Sequence, residues 1–167
     1  MTLQISKMLA TSACRRMMAV AILAISVLNL LAQARHPSVE QQFASLQRLE
    51  AMHPDSIGPK YQQAVLLLGF VCSQPGDSKA PQYIDEALRV IQRIEAMTIV
   101  KDTERSDLAT LQGFYYTALI VTNPRQNGPR YYRQAIDYFD EAMRLNPHNE
   151  LAQMLMKKFK EGMNGNS

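Results

Sequence analysis

Catalytic signatures are what this chain of 167 residues has least of. It carries no glycine-rich phosphate loop, no His-Glu-x-x-His, no paired Cys-x-x-Cys and no Gly-x-Ser-x-Gly turn. Each of those motifs sets a particular group against phosphate, zinc, a disulfide or an ester, so their absence removes the sequence basis for those chemistries. Histidine is scarce too. His36, His53 and His148 lie far apart, each at a predicted helix boundary, and read as polar turn residues and not as ligands of one metal ion. The carboxylates Asp137, Asp140 and Glu141 share a helix face with Arg133 and Arg144. Pairs such as Arg133 with Asp137 and Asp140 with Arg144, four residues apart, solvate a surface for about 0.2–0.5 kcal/mol. The expectation is a protein without catalytic residues, metal or cofactor. Cysteine is limited to Cys14 and Cys72. Cys72, inside AVLLLGFVC, reads as a small core residue, and with no disulfide framework the fold must be held by apolar packing.

Acidic residues are missing altogether from positions 1–34. There Lys7, Arg15 and Arg16 precede an apolar run from Met17 to Leu31, and Ala32-Gln33-Ala34 follows. That order is a secretory signal peptide with cleavage expected after Ala34. A retained anchor is the alternative, but the run is shorter than the ~20 residues a bilayer span needs. Cys14 precedes the run and is badly placed for lipid attachment. Lys7, Arg15 and Arg16 also account for the whole net charge of +3, leaving fifteen basic against fifteen acidic residues beyond the leader. A neutral mature chain with no basic run is a poor partner for nucleic acid, whose binding needs several phosphates neutralised. The expectation is an extracytoplasmic protein, periplasmic or secreted, with no membrane span after cleavage.

Against these absences stands a clear helical pattern. In PRYYRQAIDYFDEAMRLNPHN, Gly128 and Pro129 open a helix of about five turns, Tyr132, Ala135, Ile136, Phe139, Ala142 and Met143 form its stripe, and Asn146-Pro147 closes it. Ala135, Phe139, Ala142 and Pro147 set two small residues around one aromatic on a single face, followed by a proline-ended turn. This resembles the second helix of the tetratricopeptide repeat family, with its A-x3-F…P pattern. The resemblance implies antiparallel helix pairs stacked into a short solenoid that binds a protein or peptide.

Five further helices are predicted: Ser38 to Met52 on Phe43, Leu46, Leu49 and Met52; Lys60 to Ser73, apolar all round from Ala64 to Cys72; Pro81 to Thr98; Asp102 or Thr103 to Thr122; and His148 to Met163. Residues 35–163 are thus one all-α domain, with 164–167 as a tail. Glu-Ala-Met recurs at Glu50, Glu95 and Glu141, 45 and 46 residues apart, and Leu-x-Gly-Phe recurs at Leu67 and Leu111, 44 apart. Two unrelated motifs on one interval indicate a repeat. The interval exceeds the family's ~34 residues, and the surplus is expected to lengthen the fourth helix and build a loop from Asn123 to Gly128. Gly69 and Gly113 each cost roughly 1 kcal/mol inside a helix, which close approach of a partner helix explains.

The candidate site is the junction of the fourth and fifth helices, with Tyr115, Tyr116, Arg125, Arg130, Tyr131 and Arg133. Tyrosine and arginine carry binding energy at interfaces, and a loop between rigid helices presents them well. The functional expectation is a non-catalytic protein- or peptide-binding scaffold, an accessory subunit of an envelope assembly. A small-ligand carrier or enzyme using a cavity between the second and fourth helices is the alternative. A homo-oligomer through the last helix, which shows Leu151, Met154, Leu155 and Phe159, is a further possibility.

Overall fold

The apolar spacing resolves into six α-helices in the computed structural model, which describes residues 37–164. They are α1 (Val39–Met52), α2 (Ile57–Ser73), α3 (Ala80–Glu95), α4 (Asp102–Thr122), α5 (Pro124–Leu145) and α6 (Glu150–Asn164). No strand occurs among the described residues, so the fold is all-α. The expected leader, 1–34, lies outside the described residues. So do 165–167 of the expected tail, into whose first position α6 continues.

Each helix packs on the next in the chain, and α4 also packs on α2 and on α6. No contact of that kind joins α1 to α3 or α3 to α5 among the described residues. The even-numbered helices therefore lie side by side, with the odd ones against them. Leu67, Leu68, Ile91, Ile94, Leu111 and Phe139 are fully buried between these helices. Phe139 seats between the small residues Ala135 and Ala142, both at 0 % exposure, and against Gly113.

Asparagine chemistry overturns the expected loop at Asn123 to Gly128. The fifth helix begins at Pro124 instead, where a missing N–H costs nothing. The Asn123 side chain accepts from the Gln126 N–H at 3.3 Å, capping the new helix. Asn127 Nδ2 donates to the Leu119 carbonyl at 2.6 Å, satisfying the end of the previous one. Asn123 alone joins α4 to α5, and Pro129 lies inside the helix it was expected to start. Other boundaries move less. Ile57, Gly58 and Pro59 form the first turn of α2, proline again lying where no intrahelical donor is needed. The third helix ends at Glu95, and Lys101, not Asp102 or Thr103, is the N-cap of α4.

Several expected core positions are on the surface. Leu49 and Met52 of α1 are 37 % and 67 % exposed, and no residue of α1 is fully buried. That helix is tied down by carboxylates. Glu50 accepts from Gln63 Nε2 at 2.7 Å and from Arg93 Nε and Nη2 at 3.1 Å each, while Glu40 accepts from Lys79 and Tyr83. Tyr132, expected in the α5 stripe, is 41 % exposed. On the polar face Arg144 pairs with Glu141, three residues away, and not with Asp140. No ion pair joins Arg133 to Asp137 among the described residues.

Candidate functional site

The Ala64 to Cys72 segment is apolar all round, and α2 packs against α1, α3 and α4, yet one of its stripes is only partly covered. Ala64, Leu67, Leu68 and Val71 enter the core, while Val65, Leu66, Gly69 and Cys72 are half-exposed. Val65, Gly69 and Cys72 recur at helical spacing, so they share one stripe. That stripe is one wall of an apolar groove of about 720 Å³. Phe114, Thr117, Ile120 and Val121 of α4 line it further, and Leu151, Met154, Leu155, Lys158 and Phe159 of α6 complete it. Pro124 and Gly128 at the start of α5 close one part of its border. The groove lies along α2, α4 and α6, of which α4 packs on both of the others.

Its polar content is small and largely committed. Ser73 Oγ donates to the Phe70 carbonyl at 2.8 Å, and Thr117 Oγ1 donates to the Gly113 carbonyl at 2.9 Å. Lys158 is the one charged residue of the lining. Cys72 also lines it, and burial pushes its thiol up to about 12, so it stays protonated at neutral pH. A volume of this size lies within the ~300–1,000 Å³ of ordinary ligand sites, and its apolar walls suit apolar side chains.

Gly69 and Gly113 have opposite surroundings although they occupy the same position of the repeated motif. A β-carbon on Gly113 would lie 2.8 Å from the Phe139 ring, whereas one on Gly69 would meet nothing within 4 Å. Close helix approach thus explains Gly113 and not Gly69, which opens onto the groove.

The tyrosine-arginine candidate is partly assembled, on two helices and not on a loop. Tyr116 is its centre, with Tyr115 and Tyr131 ring centroids each 5.5 Å away. Arg130 stands over the Tyr131 ring at 5.1 Å. Tyr138, absent from the sequence-derived set, stacks on Tyr116 at 5.8 Å; it lies seven residues after Tyr131, a spacing that could have placed it there. No ring contact or ion pair links Arg125 or Arg133 to the cluster among the described residues. Burial and the neighbouring tyrosines raise the pKa values of Tyr115 and Tyr116, so both hydroxyls stay neutral.

A polar hollow of about 460 Å³ lies where α1 passes into α2, beside Tyr61, Lys101, Glu104 and Asp107. Lys101 Nζ donates to Glu104 at 3.0 Å and Asn149 Nδ2 donates to Asp107 at 3.3 Å, so two of its three lining carboxylates have partners. No group of three or more His, Cys, Asp or Glu among the described residues is placed to hold a metal ion. No described helix is long and apolar enough to cross a membrane. The chain matches no known protein family, no curated protein and no solved structure.

Proposed function

We propose that this protein is an exported, non-catalytic scaffold of tetratricopeptide-repeat-like hairpins that binds a protein or peptide and serves an envelope assembly as an accessory subunit. The observation that carries the reading is the apolar groove along α2, α4 and α6. In a short solenoid, the first helices of successive pairs form one continuous face, and the contacts of α4 with both α2 and α6 fit that scheme. Pairing α2 with α3 and α4 with α5 leaves α1 as a partial unit and α6 as a cap. The Tyr116 cluster is a second surface of the same scaffold, with the residue types that anchor partners.

Affinity purification of the full chain from its native host tests this, with wild type compared against Gly69→Leu, which fills the groove. The expected result is a partner that is retained by wild type and lost by the variant. An identical set of captured proteins from both chains removes the groove from the proposal.

The carrier alternative is favoured by one observation, that the groove lies between α2 and α4 where such a cavity was expected. Its polar groups do not converge, however, since two of the three are bonded to backbone within their own helices. For the homo-oligomer, Leu155 and Phe159 are 8 % exposed within the chain, which leaves Leu151 and Met154 to meet a second copy. Light scattering on the eluting full chain measures that directly.

A further inference from the structure

We infer that the groove receives a single amphipathic α-helix of a partner protein, seated on its apolar stripe and carrying an acidic side chain that meets Lys158. This rests on the groove being the binding surface, and adds the shape and charge of what binds there. Hydrogen bonding decides the shape. An extended peptide brings one N–H and one C=O per residue that must find partners. Peptides that bind as strands find them on a sheet edge, and no strand exists among the described residues. The hydroxyls of Ser73 and Thr117 already donate to backbone carbonyls. Each unmatched group of a buried extended peptide would be left desolvated at a cost. A helix satisfies its backbone internally and offers only side chains.

The groove also has room for helix-sized knobs. Gly69 of α2, Gly128 of α5 and Gly162 of α6 all line it, and a β-carbon on any of them would meet nothing within 4 Å. Glycine there lets another backbone come close. Charge then selects the partner. Lys158 is exposed, with Lys157 and Lys160 beside it, and no carboxylate pairs with it among the described residues. An acidic residue at the edge of the incoming stripe gives the complementary contact. A free acyl chain needs no backbone partners either, so it is tested beside the peptides.

The test is selection of a random peptide display library, about 16 residues long or roughly 24 Å as a helix, on the immobilised full chain. Selected peptides are then titrated against wild type, Gly69→Leu and Lys158→Glu, with sodium oleate as a separate ligand. A β-carbon on Gly69 meets nothing within 4 Å and Lys158 is exposed, and thermal melting checks that each variant is folded. The expected sequences carry apolar residues at i, i+3 or i+4 and i+7 beside an Asp or Glu, and gain helical circular dichroism on binding. Their affinity falls roughly five-fold with Lys158→Glu and at least about ten-fold with Gly69→Leu. Alternating or proline-rich binders, or indifference to Lys158→Glu, overturn the helix-and-acid inference while a loss with Gly69→Leu keeps the groove. Binders untouched by Gly69→Leu, no binders at all, or oleate alone bound in the groove overturn the groove reading itself.

Discussion

The ring of Phe139 lies so close to the backbone of Gly113 that a β-carbon on the glycine would stand 2.8 Å from two of the ring carbons. Both residues are buried, and the contact is where the longest helix hairpin, α4 with α5, closes. The ring has little room to shift, because it is at 0 % exposure and also neighbours Phe159 at a centroid distance of 6.5 Å. One hydrogen atom in place of a methyl group therefore sets how closely two helices approach.

The same substitution is expected to act with opposite signs at the two motif glycines. Alanine gains up to about 1 kcal/mol of helix propensity over glycine. At Gly113 that gain is outweighed by overpacking, which typically costs about 1–3 kcal/mol. At Gly69 nothing opposes it. Denaturant unfolding should show Gly113→Ala less stable than wild type and Gly69→Ala equal or more stable. Equal effects at the two sites would show that the Phe139 contact is not limiting.

Asn149 joins α4 to α6 through one amide. Its Nδ2 donates to Ser106 Oγ at 2.8 Å and to Thr110 Oγ1 at 3.1 Å, and its Oδ1 accepts from the Ala152 N–H at 3.1 Å to cap α6. Ser106 in turn donates to the Ala142 carbonyl at 2.7 Å. Asn149→Ala removes a cap worth about 1 kcal/mol and strips buried hydroxyls of a donor. A loss of about 2–3 kcal/mol is expected. Calorimetric melting of the variant measures it, and a change below about 0.5 kcal/mol, the range of ordinary surface substitutions, would mean that water replaces the amide.

Acid should release α1 before the rest of the domain. Burial opposes ionisation of Glu50, but hydrogen bonds from Arg93 and Gln63 and the charges of Arg93 and Lys60 outweigh it, holding the carboxyl below its usual 4.5. A carboxylate with a depressed folded-state pKa contributes fully above its unfolded value and loses that contribution as pH falls through the folded one. With no fully buried residue, α1 is held by partly buried contacts such as Val39 and Phe43 and by its carboxylates, Glu40 and Glu50. Hydrogen exchange should show α1 amides losing protection below about pH 4.5 while α4 and α5 stay protected, and Glu50→Gln should weaken α1 at neutral pH. Simultaneous loss across all helices would place the weak point elsewhere.

The helices and their apolar stripes were legible because periodicity is a local property, written into each segment separately. Phe139 between Ala135 and Ala142 was visible for that reason. What failed depended on which particular group each side chain meets, near or far along the chain. Asn123 and Asn127 look like turn residues until Gln126 and Leu119 are seen to use their side chains. Gly69 and Gly113 are indistinguishable in their motifs, and only the position of Phe139 tells them apart. The groove was hidden for a related reason. An apolar segment such as Ala64 to Cys72 looks the same whether its second face is covered or open, since coverage depends on how α4 and α6 lie against α2.

Cys72 offers a chemical report on the groove. Its thiol, pushed up to about 12 from the ordinary 9.0 by burial, holds far less thiolate than a free cysteine at neutral pH. Alkylation by iodoacetamide should be correspondingly slow, and should accelerate with pH well past 9. Reaction at the rate of free cysteine would show that the α2 stripe is more open than its half-buried state implies.

The two candidate surfaces separate cleanly by substitution. Arg130 stands over the Tyr131 ring, whereas no ring contact or ion pair links Arg125 to the cluster among the described residues, and neither residue lines the groove. Exposed arginines of this kind contribute little to the fold, so Arg125→Ala with Arg130→Ala should shift stability by less than about 0.5 kcal/mol. If the groove carries recognition, the double variant captures the same partner as wild type and Gly69→Leu does not. If the tyrosine cluster carries it, the outcomes exchange, because removing Arg130 strips the cation from the ring while filling the groove leaves Tyr116 and Tyr138 stacked as before. Loss in both variants would mean one partner spans both faces, which a scaffold of this size permits and a small-ligand carrier does not.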